Sequence, residues 1–167
     1  LSQQILRGRV QRVLIAVPDS LLHQWLVEML RRFNFQFSIY DEARLDAEEE
    51  TFDFANDQLV LTPWSFIEHN AEARERLLES EWDFLIVDEA HHLDLGAAAR
   101  SQTDMALTHL ATVTRGLLLL TATPGQSGID SHFARLQLLD PDRFSDLDRF
   151  VAEQRSFEET HELIEAL

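Results

Sequence analysis

The chain has 167 residues, contains no cysteine and carries a formal net charge of −16. This length suffices for one domain with a buried core, and the lack of cysteine excludes a disulfide framework and a thiolate metal site. The charge excludes nucleic-acid binding through a uniformly basic surface, because attraction to phosphates generally needs clustered Lys and Arg.

The basic residues are all Arg, since the sequence contains no Lys. This excludes mechanisms that need a Lys amine, such as Schiff-base chemistry and the phosphate-binding Lys of a P-loop. No apolar run approaches the roughly 20 residues that span a bilayer. Residues 1–12 lack the basic-then-apolar layout of a signal peptide. We therefore expect a cytoplasmic protein without membrane contacts.

Short apolar runs alternate along the chain with longer segments of helical period. Runs rich in Val, Ile and Leu without polar alternation are typical of strands that are buried on both faces. The predicted strands are residues 12–17, 37–40, 59–62, 84–87 and 116–121. The predicted helices are residues 21–33, 65–80, 97–113, 129–139 and 145–166. This alternation predicts an α/β fold with a parallel sheet and right-handed crossovers.

The first predicted helix carries an apolar stripe that includes Trp25 and Phe33. We assign both side chains to the core rather than to base stacking, because they lie on this stripe. Asp19 or Ser20 can cap the helix. The later segment 41–57 carries eight acidic residues and one Arg. We interpret it as a solvated excursion between two strands, with binding of a protein partner as the alternative.

Two adjacent carboxylates, Asp88 and Glu89, directly follow the predicted strand 84–87. Adjacent side chains of an extended backbone point in opposite directions, so the two groups can serve different tasks. One carboxylate can hold a hydrated Mg²⁺, and the other can orient or deprotonate an attacking water. The alternative is a pair of surface acids at a helix start, where the helix dipole favours them. In an open parallel sheet, ligands bind beyond the carboxyl ends of the strands, where this pair would lie.

The neighbouring His91 and His92 raise the alternative of a metal site with Asp94. A catalytic zinc ion usually needs three protein ligands, and adjacent histidines are poorly placed to share one ion. We therefore expect Mg²⁺ at Asp88 and no metal at the histidines.

Four motifs occur in the order and spacing of a known family. "VDEAH" (87–91) resembles motif II, the Walker B motif or DEAH box, of the superfamily-2 helicase-like ATPases. "VPDSLLHQW" (17–25) resembles motif Ia of the SWI/SNF-type branch. "LTPWSF" (61–66) lies where motif Ib belongs, and "LLLLTATP" (117–124) resembles motif III. Within this branch the chain is most similar to ATPases that associate with bacterial RNA polymerase.

The resemblance implies a role for each matching residue at an ATP site. Asp88 would coordinate Mg²⁺ on the ATP phosphates, and Glu89 would activate the hydrolytic water. His91 would connect the nucleotide site to motif III, where Thr121 and Thr123 lie. ATP and Mg²⁺ are therefore the expected cofactors of the parent protein.

The resemblance also implies double-stranded DNA and RNA polymerase as partners of the parent protein, a translocase that helps to recycle the polymerase at the bacterial nucleoid. Ser20 and Thr62 would contact the DNA backbone. The N–H groups at a helix start bind phosphate without net positive charge, so this contact is compatible with an acidic chain.

The expected partner of Asp88 and Glu89 is a P-loop, which the sequence does not contain because it has no Lys. Residues 1–11 resemble the end of the helix that follows a P-loop. We therefore expect residues 1–167 to be a partial N-terminal RecA-like lobe that carries motifs Ia, Ib, II and III. The isolated chain should be inactive and bind ATP weakly. The alternative is a non-catalytic acidic interaction domain descended from such a lobe.

In RecA-like sheets the P-loop strand pairs beside the motif III strand. Without it, the backbone edge of residues 117–120 should be exposed. An apolar edge with unpaired N–H and C=O groups is a template for pairing with another chain. We therefore expect the isolated chain to self-associate or to be marginally stable.

Overall fold

The computed structural model describes residues 3, 5, 7–48, 51–93, 100–122, 128–154 and 156. Five strands form one sheet in the order β2-β3-β1-β4-β5, and all four neighbouring pairs are parallel. The strands are β1 (Val13–Val17), β2 (Ser38–Ile39), β3 (Leu59–Pro63), β4 (Phe84–Val87) and β5 (Gly116–Leu119). The predicted parallel α/β fold is therefore confirmed, with β2 and β5 shorter than the apolar runs suggested.

Helices cover both faces of this sheet. They are α1 (Leu22–Phe33), α2 (Glu42–Ala47), α3 (Trp64–His69), α4 (Ala71–Glu79), α5 (Gln102–Val113) and α6 (Gly128–Leu139). Residues 147–154 are also helical, within the predicted helix 145–166. Short 3-10 turns cover Asp19–Leu21, Phe54–Asn56 and Ala90–His92. Among the helices of the described ranges, none has the length and apolar character needed to cross a bilayer.

The central strand β1 is buried on both faces, as its unbroken apolar sequence predicts. Leu14 and Ala16 point into one core cluster, while Val13, Ile15 and Val17 point into a second cluster on the opposite face. None of the five side chains is exposed. The alternation of strand side chains between two covered faces explains the lack of a polar period in this run.

The predicted helix 65–80 is two helices, α3 and α4, because Asn70 interrupts it. The Asn70 side chain accepts the N–H of Ala73 at 2.8 Å and thereby caps α4. Asn70 donates its own N–H to Phe66 at the end of α3. Asn is among the preferred N-cap residues, so a local side-chain bond ends one helix and begins the next.

The predicted helix 97–113 begins at Gln102, where Ser101 and Asp104 form a reciprocal capping box. This box satisfies two backbone donors at the helix start and fixes the boundary there. Residues 94–99 lie outside the described ranges.

The acidic segment 41–57 is more than the solvated excursion that its charge suggested. Phe52 and Phe54 are 2% and 1% exposed and belong to the core. Their ring centroids lie 5.2 Å and 4.6 Å from the ring of Tyr40. Burial and a hydrogen bond to Asp57 raise the pKa of the Tyr40 phenol. The aromatic side chains therefore anchor the segment to the sheet, while none of its acids within the described ranges is buried.

Helix α1 differs from its prediction at both ends. It begins at Leu22, and neither Asp19 nor Ser20 caps it with a side chain. At the other end Phe33 is 47% exposed, although its stripe position predicted burial. Its ring stacks on Phe35, which follows the left-handed residue that ends the helix. The side chain of Phe33 at the end of α1 therefore packs against Phe35, which follows the helix, and not against the sheet.

Candidate active site

The predicted motif II segment is held between two strand ends at the carboxyl edge of the sheet. Asp88 donates its N–H to the carbonyl of Ala16 in β1 at 3.0 Å. Ala90 donates its N–H to the carbonyl of Leu120, just after β5, at 2.8 Å. Because both neighbouring strands fix its backbone, this segment presents its side chains in a defined arrangement.

Asp88 is half-buried, and each of its carboxylate oxygens accepts a hydrogen bond. Oδ1 accepts the N–H of Glu89 at 2.9 Å, and Oδ2 accepts the indole N–H of Trp25 at 2.6 Å. A carboxylate offers about four lone-pair positions, so two remain for other partners. Mg²⁺ prefers oxygen ligands and keeps much of its water shell, so a fixed carboxylate of this kind fits it.

Glu89 has a left-handed backbone, with φ 50° and ψ 40°. Strand β4 ends at Val87, so the two acids lie in a turn and not in the extended backbone from which we inferred opposite directions. The Oε2 atom of Glu89 is buried and accepts no hydrogen bond. It lies 3.1 Å from Nδ1 of His91, a contact that becomes an ion pair only when the imidazole is protonated. A buried carboxylate oxygen in this state is suited to accept a proton or a water hydrogen bond.

His91 connects this segment to the end of β5. Its Nδ1 lies 3.1 Å from the hydroxyl oxygen of Thr121, and its side chain is only 13% exposed. The structure therefore places Glu89, His91 and Thr121 in contact beside Asp88. The remaining predicted member, Thr123, lies outside the described residues.

The histidine pair does not form a metal centre in the described part of the chain, where no three His, Asp or Glu side chains cluster in a way that could hold an ion. The rings of His91 and His92 lie 4.1 Å apart, and His92 contacts Trp64 edge-on. Asp94, the third member of that alternative, is outside the described residues.

The two residues predicted to contact DNA differ in accessibility. Ser20 is exposed in the 3-10 turn before α1. Thr62 is fully buried, and its hydroxyl donates to the carbonyl of Tyr40 at 2.9 Å. The burial of Thr62 makes its side chain unavailable to a phosphate, so we remove this residue from the interface.

Two functional candidates were missed in the sequence. Ser65 is the second residue of α3 and donates both its N–H and its hydroxyl to Asp19, which links the start of α3 to the 3-10 turn that contains Ser20. Trp25 packs against the core as predicted, and its indole N–H also donates to Asp88, which was not predicted. The sequence indicated such a bond for Trp25, because a buried indole N–H usually has a hydrogen-bond partner.

The model of the SNF2-related domain family matches residues 1–167. The fold is similar to the Sulfolobus solfataricus SWI2/SNF2 ATPase core in complex with dsDNA, with a TM-score of 0.69, 20% identity, and coverage of 90% of this chain and 30% of that chain.

A second similar structure is the ATPase core domain from the same organism, with a TM-score of 0.65, 19% identity, and coverage of 90% of this chain and 29% of that one. The chain therefore spans about a third of either structure, and its parallel sheet has the fold of a RecA-like lobe. The chain belongs to the SNF2-related domain family.

Proposed function

We propose that residues 1–167 form part of the N-terminal RecA-like lobe of an ATP-dependent translocase on duplex DNA, and that Asp88 and Glu89 act on the triphosphate. The observation that carries this proposal is the placement of the pair. Both acids are fixed at the carboxyl edge of the sheet, and the buried Oε2 of Glu89 lies 3.1 Å from Nδ1 of His91.

The two carboxylates have separate roles in the proposed hydrolysis. Asp88 would hold Mg²⁺ through its water shell, and the bound ion would neutralise charge that develops on the phosphates. Glu89 accepts a proton from water while the water oxygen forms a bond to the γ-phosphorus. The bond from that phosphorus to the bridging oxygen breaks, and ADP leaves with the electron pair. Such general-base assistance is typically worth about 10²–10⁴-fold in rate.

His91 is the proposed connection between the hydrolytic carboxylate and β5. Its Nδ1 lies 3.1 Å from Oε2 of Glu89 and 3.1 Å from the hydroxyl of Thr121. One ring nitrogen carries at most one hydrogen, so Nδ1 favours one of these contacts at a time. A shift of β5 would thereby change how Glu89 is held. Thr123 stays a proposed member of this connection.

The proposed DNA contact lies at the start of α1. Ser20 is exposed there, and the first helical N–H groups have no side-chain cap. Such groups bind phosphate through direct hydrogen bonds and the helix dipole. The contact therefore needs no basic patch, which supports a DNA role for a chain with a charge of −16.

The proposed protein partner is bacterial RNA polymerase. The support is the resemblance of residues 23–37 and 131–144 to the polymerase-associated ATPase RapA. Co-elution of the full-length protein with purified polymerase core enzyme in size-exclusion chromatography tests this partner. Separate elution at micromolar concentrations of both proteins would leave the translocase proposal intact and remove the polymerase from it.

The hydrolytic role is tested by Glu89→Gln in the full-length protein. The substitution keeps shape and hydrogen-bonding capacity but removes the basic carboxylate. We expect ATP binding to persist while DNA-stimulated turnover falls by about 10²–10⁴-fold. Asp88→Asn should instead weaken Mg²⁺-dependent ATP binding. Glu79→Gln, an exposed acid at the end of α4, is the matched control. Near-normal turnover in Glu89→Gln would refute the assignment.

A further inference from the structure

We infer that Trp25 is a positioning residue, which fixes the carboxylate of Asp88 through its indole N–H and couples the DNA-facing start of α1 to the magnesium site. This inference rests on the proposed function. It assigns a role to a side chain that takes part in neither phosphate nor DNA contacts itself.

The contact joins two separate parts of the chain. Trp25 lies in α1, and Asp88 follows β4, so the bond bridges 63 positions of sequence. The indole nitrogen lies 2.6 Å from Oδ2 of Asp88, within hydrogen-bond distance of a carboxylate acceptor. The other bond to this carboxylate comes from the N–H of the adjacent Glu89, which moves with Asp88 itself. Among the described residues, Trp25 is therefore the side chain that connects the carboxylate to another element.

The indole is held by its surroundings and cannot simply follow the carboxylate. Trp25 is half-buried against the core cluster that contains Ile15 and Val17 of β1. One turn earlier on the same helix, Leu22 is only 7% exposed. A helix rises about 1.5 Å per residue, so the first residue of α1, Leu22, and Trp25 are about 4.5 Å apart along the axis. A phosphate bound at the start of α1 would therefore act on the indole through a short, rigid path.

This arrangement predicts that loss of the indole N–H weakens the use of Mg²⁺ at Asp88. Partners that orient a metal-binding side chain are typically worth about 10–100-fold in metal affinity or activity. Without the indole N–H, Asp88 can rotate away from the orientation that suits a hydrated Mg²⁺. The Mg²⁺ requirement should rise, and DNA should stimulate turnover less because α1 no longer reaches the carboxylate.

The test is Trp25→Phe in the full-length protein, which removes the N–H and keeps an aromatic ring. ATP turnover is measured against Mg²⁺ concentration, with and without duplex DNA. We expect the half-saturating Mg²⁺ concentration to rise by about 10–100-fold and the DNA stimulation to shrink. Trp82→Phe is the matched control, because its indole donates at 3.2 Å to the carbonyl of Leu77, before β4 begins. Loss of the Trp82 indole N–H affects stability and should leave the Mg²⁺ dependence of ATP turnover unchanged.

Three outcomes would overturn the inference. The Mg²⁺ dependence of Trp25→Phe could be unchanged, or Trp82→Phe could show the same rise. A lower Mg²⁺ requirement would mean that the indole competes with the ion. Wild type and Glu89→Gln are assayed alongside. If wild type hydrolyses ATP and Glu89→Gln does not, the proposed function stands. The results for Trp25→Phe and Trp82→Phe then test the role of Trp25 separately.

A measurement that does not depend on ATP turnover distinguishes the positioning role of Trp25 from the proposed hydrolytic function. The chain has three Trp residues, so its indole N–H groups give three signals in an ¹⁵N-correlated NMR spectrum. Trp25→Phe identifies one of them. Asp88→Ala should move that signal upfield, because its hydrogen bond is lost, and leave the Trp82 signal in place. An unmoved Trp25 signal would overturn the inference even if the full-length protein hydrolyses ATP.

Discussion

At the residue scale, Asp83 ties the start of β1 to the start of β4. Its Oδ2 accepts the backbone N–H groups of Arg12 at 3.0 Å and Gln11 at 2.8 Å. These bonds, the one from Arg12 foremost, hold the pKa of the Asp83 carboxyl below its usual value against the opposing effect of burial. One charged side chain thus fixes the pairing of two central strands.

We expect Asp83→Asn to lower the free energy of unfolding by about 1–2 kcal/mol at neutral pH, the scale of a weakened bond to a charged group. Because the folded pKa lies below the unfolded value, near 4, the stabilisation is present above pH 4 and is lost as pH falls through the folded pKa. Urea unfolding at pH 7 and pH 3 measures the difference in unfolding free energy between Asp83→Asn and wild type. This difference should be smaller at pH 3. Asp46→Asn, exposed on α2, is the control. An equal difference in unfolding free energy at both pH values would contradict the role of the charge.

Some site residues could be predicted from the sequence because their chemistry and position coincide. Asp88 and Glu89 follow an apolar strand, and a parallel sheet places such residues at its binding edge. Thr62 could not be excluded, since its burial depends on the approach of Tyr40 from another strand. The packing of Trp25 against the core was predicted, but its bond to Asp88 was not, because the apolar stripe of a helix does not reveal which polar atom its indole meets.

At the element scale, strands were predictable where both faces are buried, because their apolar runs are unbroken. The break at Asn70 was missed since helical periodicity continues across it, from Phe66 to Ala73. A single side-chain cap decides that boundary. In the acidic segment, the two buried rings of Phe52 and Phe54 outweigh the surrounding charges, and charge alone predicted the opposite.

The pairing of β4 with β5 depends on Gly116. It lies opposite Phe84, and a Cβ atom there would overlap the Phe84 ring. We expect Gly116→Ala to lower the unfolding free energy by about 1–3 kcal/mol, the usual scale of overpacking. Chemical denaturation of the chain measures the loss. Adding Phe84→Leu to Gly116→Ala should restore part of it by making room, whereas equal stability of wild type and Gly116→Ala would show that the ring moves freely.

At the scale of the whole molecule, β5 forms an edge of the sheet, since within the described ranges it pairs only with β4. Leu118 of this strand is 38% exposed. Helix α1 offers a second apolar surface, where Val27 and Leu30 are 45% and 44% exposed. The isolated chain therefore has two candidate surfaces for self-association, and they can be separated by mutation.

We expect the chain to self-associate through the β5 edge, because unpaired strand backbone and an apolar side chain favour pairing with a second strand. Sedimentation velocity at low and high concentration measures this. Leu118→Lys should reduce the association, since a charge on an edge strand opposes pairing. Val27→Lys should leave it unchanged. A monomer at every concentration would refute the prediction, and dissociation by Val27→Lys alone would move the interface to α1.

The left-handed backbone of Glu89 opposes the proposed catalytic role of this residue to the stability of the whole fold. A non-glycine residue in this conformation costs about 1 kcal/mol, whereas Asn tolerates it, as Asn34 does at φ 55°. We expect Glu89→Asn to raise the melting temperature by about 2–4 °C over Glu89→Gln, as calorimetry can show. Equal melting temperatures would mean that the turn carries no such cost. A directed-evolution screen that rewards only heat resistance would therefore enrich variants that have lost the proposed hydrolytic base.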